Sequence, residues 1–447
     1  MSAASPTRPS AARLTAYAGP GVPVAATGLP LVVFLPPYFA GELGLDLAAV
    51  GLIFGLVRGI DTIFDPVVGH WADNTRTRFG RFKPWIMVGA ILTFIATAAV
   101  FFAPQGIGLW YLGFGLAALY AGQSMLNVPH ISWGATLTDD YHQRSRIYSF
   151  WQGGHLAGLI LVLALPAVLG VFMGAAAPPA VYAMGAFVLV SIPLTVGAAL
   201  ILVPRTRGDL TPAHMRWADV KRVFRDADLR LLIIADVSVH LAGGATGSLF
   251  RFFAEEVRGF TDTLSAIGLL AYFVSGLVGL PLWLRLAKRI GKARTGACAA
   301  AYGGIAHVAA SFVFSADRPI ASLIAILFVG LSYAAPAFLL RAMLADHADA
   351  EKAAGSADRI GLLNALLTTA QKLGFVVPVA VLFPLLALYG FDPARGSANS
   401  DAALAAVEII WIVSVPLLML PGIWLMARYR NDQKRHVARR TAAGATP

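Results

Sequence analysis

Two carboxylates and one guanidinium lie close together in an otherwise apolar segment near the start of the chain. Arg58, Asp61 and Asp65 occur at i, i+3 and i+7, which places them on one face of a helix. Two carboxylates beside one arginine can bind a small cation or share a proton. Alternatively, the arginine only pairs with the acids to hold two helices together. Because one cation cannot neutralise two acids, the pattern favours ion coupling.

The segment that carries these charges has the length and composition of a membrane span. Of the 447 residues, 57% are apolar and 13% are charged, whereas soluble proteins average about 25% charged residues. A bilayer core needs about 20 apolar residues per helix. The composition therefore argues against a soluble enzyme, and twelve spans are predicted near 16–40, 48–72, 84–104, 108–135, 148–173, 181–203, 229–256, 264–288, 295–314, 320–344, 358–390 and 403–427.

A second cation, Lys372, falls well inside the predicted eleventh span. A charge at the bilayer centre costs about 2.5–3.5 kcal/mol, so such a residue normally faces a partner or a wet cavity. The acids of the second span are its candidate partners. We expect Lys372 and Arg58 to balance Asp61 and Asp65 when no cation is bound.

Basic residues concentrate on one side of the predicted membrane. All but six of the 35 Lys and Arg residues lie in one set of alternate loops and in the termini. Arg258, Arg318 and Arg395 lie in the opposite loops, and the other three lie inside spans. Since cytoplasmic loops carry the positive excess, we expect an integral protein of a bacterial cytoplasmic (inner) membrane with both termini in the cytoplasm.

The longest internal polar stretch, 204–230, divides the chain into two halves. A weak repeat supports duplication: Pro66 and Gly80 in the first half parallel Pro281 and Gly291 in the second, each pair around the second and third span. Gly- and Arg-rich turns are also common in any cytoplasmic loop. The predicted domains are a six-helix bundle at 1–203, a cytoplasmic linker at 204–228, a second six-helix bundle at 229–428 and a basic cytoplasmic tail at 429–447.

Polar and aromatic side chains lie within several of the predicted spans and could contact a hydrophilic solute. Amides and rings supply hydrogen bonds and stacking, although the same residues can equally join helices. The candidate substrate-binding residues are Asn127, His130, Trp151, Gln152, His155, His240 and Gln371.

The seventh span also carries charges. Asp236 and His240 are four residues apart, and Arg251, Glu255 and Glu256 approach its outer end. We expect Asp236 to pair with the cytoplasmic linker. Glu255 and Glu256 are predicted to be solvated, whereas His240 and Arg251 could serve a relay or contact solute.

Other chemistries lack their motifs. The sequence has no phosphate-binding G-x-x-x-x-G-K-[ST] loop, one cysteine, Cys298, and no metal-binding histidine spacing. We expect no enzymatic activity, no metal and no cofactor beyond a coupling cation, H⁺ or Na⁺. The basic tail suits anionic lipid headgroups. The expected partners are a small-molecule solute, the coupling cation and membrane lipids, with no nucleic acid, and the chain is expected to be a monomer.

The stretch from Asp61 to Trp85, DTIFDPVVGHWADNTRTRFGRFKPW, resembles the signature of the glycoside–pentoside–hexuronide:cation symporters, the melibiose-permease branch of the major facilitator superfamily. The resemblance implies an all-α membrane protein with twelve transmembrane helices in two six-helix bundles, working by alternating access. It also implies that Asp61 and Asp65 bind the coupling cation and that the lysine matching Lys372 lies close to them. The signature's cytoplasmic gate motif corresponds to Gly69, Asp73, Arg76, Gly80 and Arg81.

Departures from the family pattern refine this expectation. The family's sugar-binding acids align with about Ala25 and with Asn127, and a fifth-helix arginine aligns with Gln152. An Asn of the family's sodium site is Phe64 here, whereas Ser124 keeps a fourth-helix hydroxyl and is the third candidate cation-binding residue, with Asp61 and Asp65. Losing one oxygen ligand weakens Na⁺ binding more than H⁺ binding.

The predicted function is therefore secondary active transport, with H⁺ rather than Na⁺ symported with a small polar solute, a sugar or a glycoside. Two alternatives stay open. One is a transporter or exporter of an amphiphilic, lipid-like solute on the same scaffold. The other, more remote, is a membrane sensor that does not transport.

Overall fold

The computed structural model describes residues 10–137, 141–176, 179–204, 225–353 and 360–429. All regular structure in these ranges is helical, with no strand. The chain forms two compact units, Met1–Pro212 and Ala213–Pro447. The predicted linker at 204–228 lies outside the described ranges except for Pro204 and residues 225–228, and the predicted tail except for Tyr429.

The first unit contains ten helices and two π-helical turns among its described residues. Its elements are α1 (Ala11–Ala18), α2 (Gly21–Gly28), α3 (Pro30–Val33), α4 (Leu35–Pro37), a π-turn (Tyr38–Glu42), α5 (Leu47–Asn74), α6 (Lys83–Phe101), α7 (Leu109–Ala135), α8 (Tyr141–Met173), α9 (Ala180–Ser191), a second π-turn (Ile192–Val196) and α10 (Gly197–Leu202). A short 3₁₀ turn, Gly174–Ala176, follows α8.

The second unit consists of α11 (Ala227–Arg251), a π-turn (Phe252–Val257), α12 (Asp262–Ile290), α13 (Lys292–Ser311), α14 (Pro319–Gly330), α15 (Ala335–Ala353), α16 (Ile360–Leu388), a 3₁₀ segment (Pro393–Ala398) and α17 (Asp401–Arg428). The central helix is α11, which packs against α15, α16 and α17. Around its N-terminal half lies an apolar core that includes Leu232, Leu340, Leu344 and Met426.

Ten segments of the described chain are long and apolar enough to cross a membrane, judged by length and composition. Two further long helices, α7 with 27 residues and α13 with 20, occupy the positions of the predicted fourth and ninth spans. The described helices thus match the twelve predicted spans in number and order. This arrangement makes the chain an integral membrane protein.

Three spans differ from the prediction in detail. The first span is a series of short helices, because its prolines remove backbone donors and interrupt the α-helical hydrogen bonds. The fifth begins at Tyr141 instead of 148, since hydropathy locates the membrane and not the end of a helix. The tenth is interrupted by a turn after Gly330, which separates α14 from α15.

The turns after the second span of each unit both depend on a glycine. Gly80 has φ +95° and Gly291 has φ +89°, a left-handed conformation that other residues adopt only with strain. Gly291 joins α12 directly to α13, and Gly80 precedes α6 by a few residues. These two positions are the ones paired by the sequence repeat.

Lys83 links the start of α6 to the end of α10. Its Nζ donates hydrogen bonds to the carbonyl oxygens of Leu200 (2.7 Å) and Val203 (2.8 Å), at the end of α10. It also lies 5.3 Å from the ring centre of Trp133 on α7. A cation at a helix C-terminus is favoured by the helix dipole, so this lysine holds α6, α7 and α10 together.

Close backbone approach joins α8 to the broken first span. A Cβ on Gly154 would collide with the carbonyl oxygen of Ala18, and one on Gly158 with that of Val22. Gly153, the adjacent residue, is exposed, and a Cβ on it would have no atom within 4 Å. The two glycines of the packed face therefore set the distance between α8 and helices α1 and α2.

This difference predicts opposite effects for two neighbouring substitutions. Gly153→Ala should raise the melting temperature slightly, because alanine is favoured over glycine in a helix by about 1 kcal/mol. Gly154→Ala should lower it, because overpacking costs about 1–3 kcal/mol and here the obstacle is backbone. Thermal unfolding of both purified variants in detergent provides the measurement. Equal stability of the two would contradict the packing described.

Candidate cation site

Helices α5 and α7 bring two acids and one hydroxyl together inside the first unit. Ser124 Oγ lies 2.7 Å from Asp61 Oδ1 and 2.5 Å from Asp65 Oδ1. The i, i+4 spacing presents both acids on one face of α5, and α7 crosses that face. Asp61 and Ser124 are buried, each with 4% of its surface exposed, whereas Asp65 is half-buried.

Arg58 completes this cluster from one turn earlier on α5. Its Nη1 donates to Asp61 Oδ2 at 3.2 Å, and its guanidinium carbon lies 4.7 Å from the ring centre of Tyr120 on α7. Asp61 therefore contacts Ser124 through one oxygen and Arg58 through the other. The predicted face of Arg58, Asp61 and Asp65 is present, and the pairing of Arg58 with Asp61 is direct.

The hydroxyl of Ser124 carries one proton but contacts two carboxyl groups. It can donate that proton to one acid only, and its lone pairs can accept from the other if that acid is protonated. A single extra proton therefore satisfies both short contacts. A small cation among the three oxygens would satisfy them as well.

Tyr120, which lies under the guanidinium of Arg58, is not among the residues predicted from the sequence. An aromatic face beside a partly desolvated arginine gives about 0.5–2 kcal/mol of stabilisation. The available signal was its position four residues before Ser124, which puts both on one face of α7.

Phe64 lies beside this cluster in the chain but supplies no oxygen. Its ring packs edge-on against Trp71, with 6.2 Å between ring centres. Trp71 stacks on Trp85 at 5.9 Å, and the indole N–H of Trp85 donates to Thr75 Oγ1 at 2.7 Å. Phe64, which stands where the family's sodium site has an Asn, thus belongs to a row of contacting aromatic rings on α5 and α6.

The gate motif lies at the end of α5 and in the following turn. Gly69 faces α7, because a Cβ there would be 3.6 Å from Val128. Gly80 forms the left-handed turn, Arg76 is exposed, and the Arg81 guanidinium lies 5.4 Å from the Phe82 ring centre. Asp73 belongs to α5, and its side chain is outside the described set.

Several candidate solute residues lie on α7 and α8 with unsatisfied polar atoms. Asn127 Oδ1 and Trp151 Nε1 are buried and have no hydrogen-bond partner among the described residues. The Trp151 ring lies 4.2 Å from that of His155, whose Nδ1 is 3.2 Å from the Trp151 carbonyl oxygen. Gln152 is exposed. Unsatisfied buried groups of this kind are where a polar ligand or water gains hydrogen bonds.

His130 is placed differently from the other candidates. It is fully buried, its Nε2 donates to the carbonyl oxygen of Tyr17 at 2.6 Å, and the Tyr17 hydroxyl donates to the His130 carbonyl oxygen at 3.1 Å. The two rings are 4.6 Å apart. These contacts join α7 to α1, whereas the buried Nδ1 of His130 has no hydrogen-bond partner among the described residues.

In the second unit, Lys372 and Gln371 lie on α16 and are half-buried. Gln371 Oε1 accepts a hydrogen bond from Arg341 Nη2 at 2.7 Å. His240 is buried on α11 and contacts Asp236, with Nδ1 3.2 Å from Oδ2. The expected partner of Asp236 was the linker, so this pairing corrects that expectation: four residues is one helical turn, and the two side chains meet directly.

Charges at the C-terminal end of α11 are paired as well. Arg251 is buried, and its guanidinium donates to Glu255 (2.8 Å) and Asp262 (2.5 Å). Glu255 was expected to be solvated, but it is half-buried in this ion pair. Glu255 lies in the π-turn that follows Arg251. Asp262 is the first residue of α12, so the ion pair with Asp262 joins α11 to α12.

Apolar helices that enclose buried acids are typical of proteins with an ion or solute pathway through the membrane. The family model described as MFS/sugar transport protein matches residues 16–433. The chain belongs to that family, the glycoside–pentoside–hexuronide:cation symporters.

Three relatives illustrate the range of the family. The "Inner membrane symporter YicJ" of Escherichia coli is 23% identical over 88% of this chain and 86% of the relative. The "Glucuronide carrier protein homolog" of the same organism is 21% identical over 80% and 79% of the two chains. The "Sodium-dependent lysophosphatidylcholine symporter 1" of Gallus gallus is 36% identical over 22% and 19%.

A solved structure shows the same fold. The bacterial homologue of the human lysosomal transporter Spinster, crystallised inward-facing and unoccupied, superposes with a TM-score of 0.65, and 96% of each chain is covered. Sequence identity is 14%. The agreement therefore concerns the helical architecture.

Removing the hydroxyl of the acid cluster should destabilise the protein. Ser124→Ala is expected to lower the unfolding free energy by about 1.5–3 kcal/mol, the range for hydrogen bonds to charged groups. Ser132→Ala on the same helix is the matched control, because among the described residues that hydroxyl donates to the Val128 carbonyl oxygen and contacts no acid. Thermal unfolding should show the larger loss for Ser124→Ala, and the loss should shrink in an Asp61→Asn/Asp65→Asn background. An undiminished loss in that background would contradict the contacts.

Proposed function

We propose that this transporter is a proton-coupled symporter of a small polar solute. The observation that carries the proposal is the cluster in which Ser124 contacts both Asp61 and Asp65. Buried acids inside a membrane span mark ion pathways. Their contact with one hydroxyl provides a compact cation site inside one unit.

The oxygen count supports H⁺ over Na⁺. Asp61, Asp65 and Ser124 supply few oxygens, and Phe64 replaces an amide ligand of the family's sodium site with a hydrocarbon ring. A proton needs only one carboxylate and one acceptor. The geometry at Ser124 suits a proton, because one added proton satisfies the contacts with both acids.

Charge balance supplies the coupling in this proposal. Arg58 pairs with Asp61 within the same helix, and the family resemblance adds Lys372 as the second balancing cation. A bound cation reduces the negative charge that these basic groups must neutralise. Coupling follows because the loaded and empty states then differ in their favoured conformation.

Carbohydrate is the solute class that we propose. The neutral hydrogen-bonding groups Asn127 and Gln152 and the rings of Trp151 and His155 suit hydroxyl-rich solutes. A relative of comparable length is named a glucuronide carrier homologue. Because neutral residues replace the family's sugar-binding acids, we expect this protein to bind its solute through contacts different from those by which the family binds melibiose.

A second candidate is an amphiphilic solute. It is favoured by one similarity, the lysophosphatidylcholine symporter of Gallus gallus, at 36% identity over 102 residues. A thermal-shift screen separates the two candidates. Methyl glycosides, disaccharides and glucuronides should stabilise a sugar symporter, and lysophosphatidylcholine should stabilise an amphiphile transporter.

We further propose that the protein lies in a bacterial cytoplasmic membrane as a monomer, with both termini in the cytoplasm. The distribution of Lys and Arg between alternate loops supports this orientation. No cofactor other than the coupling cation enters the proposal. Anionic headgroups are the expected lipid contacts of the basic loops.

Neutralising the second acid should uncouple transport. Asp65→Asn should abolish proton-gradient-driven accumulation in proteoliposomes of the sugar that gives the largest thermal shift, because the amide cannot take up a proton. Asp46→Asn is the control: Asp46 caps the start of α5 by accepting from the Ala49 N–H at 2.8 Å, and asparagine caps equally well. Full gradient-driven uptake by Asp65→Asn would refute the assignment.

Phe64 provides a test of cation choice that needs no solute. Addition of Na⁺ should leave the melting temperature of the native protein unchanged relative to equal K⁺. Phe64→Asn should create a Na⁺-dependent rise, because it restores an oxygen ligand. Phe64→Leu controls for loss of the contact with Trp71. A Na⁺-specific rise in the native protein would favour sodium coupling instead.

A further inference from the structure

Among the described acids of the second unit, Asp236 is the most deeply buried, with none of its surface exposed. It lies in α11, in the first half of the membrane-crossing segment Ala227–Val257. Its position and burial place a carboxyl group in an apolar interior, where an uncompensated charge costs several kcal/mol.

Among the described residues, the ionisable partner of Asp236 is His240. Asp236 Oδ2 lies 3.2 Å from His240 Nδ1, and the same nitrogen lies 2.8 Å from the Asp236 carbonyl oxygen. Neither carboxyl oxygen has another hydrogen-bond partner in the described parts of the chain. Ser238, between them, is engaged elsewhere: it donates to the Leu418 carbonyl oxygen and accepts from the Gly422 N–H.

Close packing surrounds His240. A Cβ on Gly374 of α16 would collide with the His240 Cβ, and the Phe375 ring centre lies 5.7 Å from that of the histidine. On α15 and α17, apolar side chains such as Leu340 and Met426 face this part of α11. Within the described residues, these neighbours bring no hydrogen-bonding group to the carboxylate.

Several charged groups on the elements packed against α11 have contacts of their own. Arg341 donates to Gln371, and Asp346 pairs with Lys292. His347 pairs with Asp226, and Glu408 pairs with Arg258. The other ionisable side chains that the structure describes on these elements are Lys372 on α16, Asp401 and Arg428 on α17, and Glu255 and Glu256 in the π-turn; Asp349, Glu351 and Lys352 of α15 lie outside the described side chains.

We propose that Asp236 and His240 together bind one proton and form a second protonation site, in the half of the chain that lacks Asp61 and Asp65. With that proton the pair is neutral overall, either as a carboxylate facing an imidazolium or as a carboxylic acid facing a neutral imidazole. Without it a carboxylate is left in an apolar interior beside a neutral ring. The proton comes from water and returns to water, so no other reactant takes part.

The consequence is that each half of this transporter carries its own proton-binding group. Loading the pair changes its net charge, and the His240 side chain of the pair packs against α16 at Gly374. Since α16 also carries Lys372 and Gln371, protonation of the pair acts on the helix that holds two candidate functional residues.

Two spectroscopic signals test the pair without a solute. Protein labelled with ¹⁵N-histidine should show an imidazolium resonance that disappears in His240→Gln, or an infrared carboxylic acid band at neutral pH that disappears in Asp236→Asn. His307→Gln is the matched control, because His307 is also buried but its Nε2 donates to the Trp411 carbonyl oxygen at 3.0 Å. That variant should keep the signal of the pair.

The proposal is overturned if neither signal differs between the native protein and the two variants. Should His240→Gln fail to fold, the comparison with Asp236→Asn decides the outcome, because asparagine preserves the size of the side chain. Both signals are also to be recorded in Asp65→Asn. Their persistence there would show a proton at Asp236 and His240 that does not depend on the cluster proposed for coupling.

Discussion

Charge inside an apolar environment is the constraint on which this structure depends. A buried ion requires a counter-charge or hydrogen bonds, and three groupings within single units answer that requirement. Asp61 contacts both Arg58 and Ser124, Arg251 contacts two acids, and Asp236 contacts His240. The helices that carry these side chains must approach closely, so the placement of a few charges governs how the apolar helices pack.

The packing of α7 shows this dependence. The Ser124 hydroxyl of α7 contacts the acids of α5. The opposite side of α7 packs against α6 where both helices carry glycines. A Cβ on Gly122 would be 2.7 Å from the Thr93 backbone nitrogen, and a Cβ on Gly89 would be 2.5 Å from that of Leu126. Small residues allow membrane helices to approach each other closely. The glycines thereby hold the helix of Ser124 between α5 and α6.

Transport chemistry in this family is a matter of charge and conformation, because no bond in the solute is made or broken. In the proposal, a proton at Asp61 and Asp65 alters the charge balance between these acids and the basic residues. The candidate solute-binding residues lie on α7, which also carries Ser124, and on α8, the next helix in sequence. Cation and solute can then influence one another through α7, since both bias the same packed element.

Most of the fold could be predicted from the sequence, because apolar length and the asymmetry of Lys and Arg are properties of the chain itself. The same holds for the shared face of Arg58, Asp61 and Asp65, which follows from helical periodicity. Contacts between helices could not be predicted in this way. The position of Tyr120 beneath Arg58 and the packing of His130 against Tyr17 depend on which rotamers and helix crossings satisfy buried polar groups, and only the tertiary structure decides that.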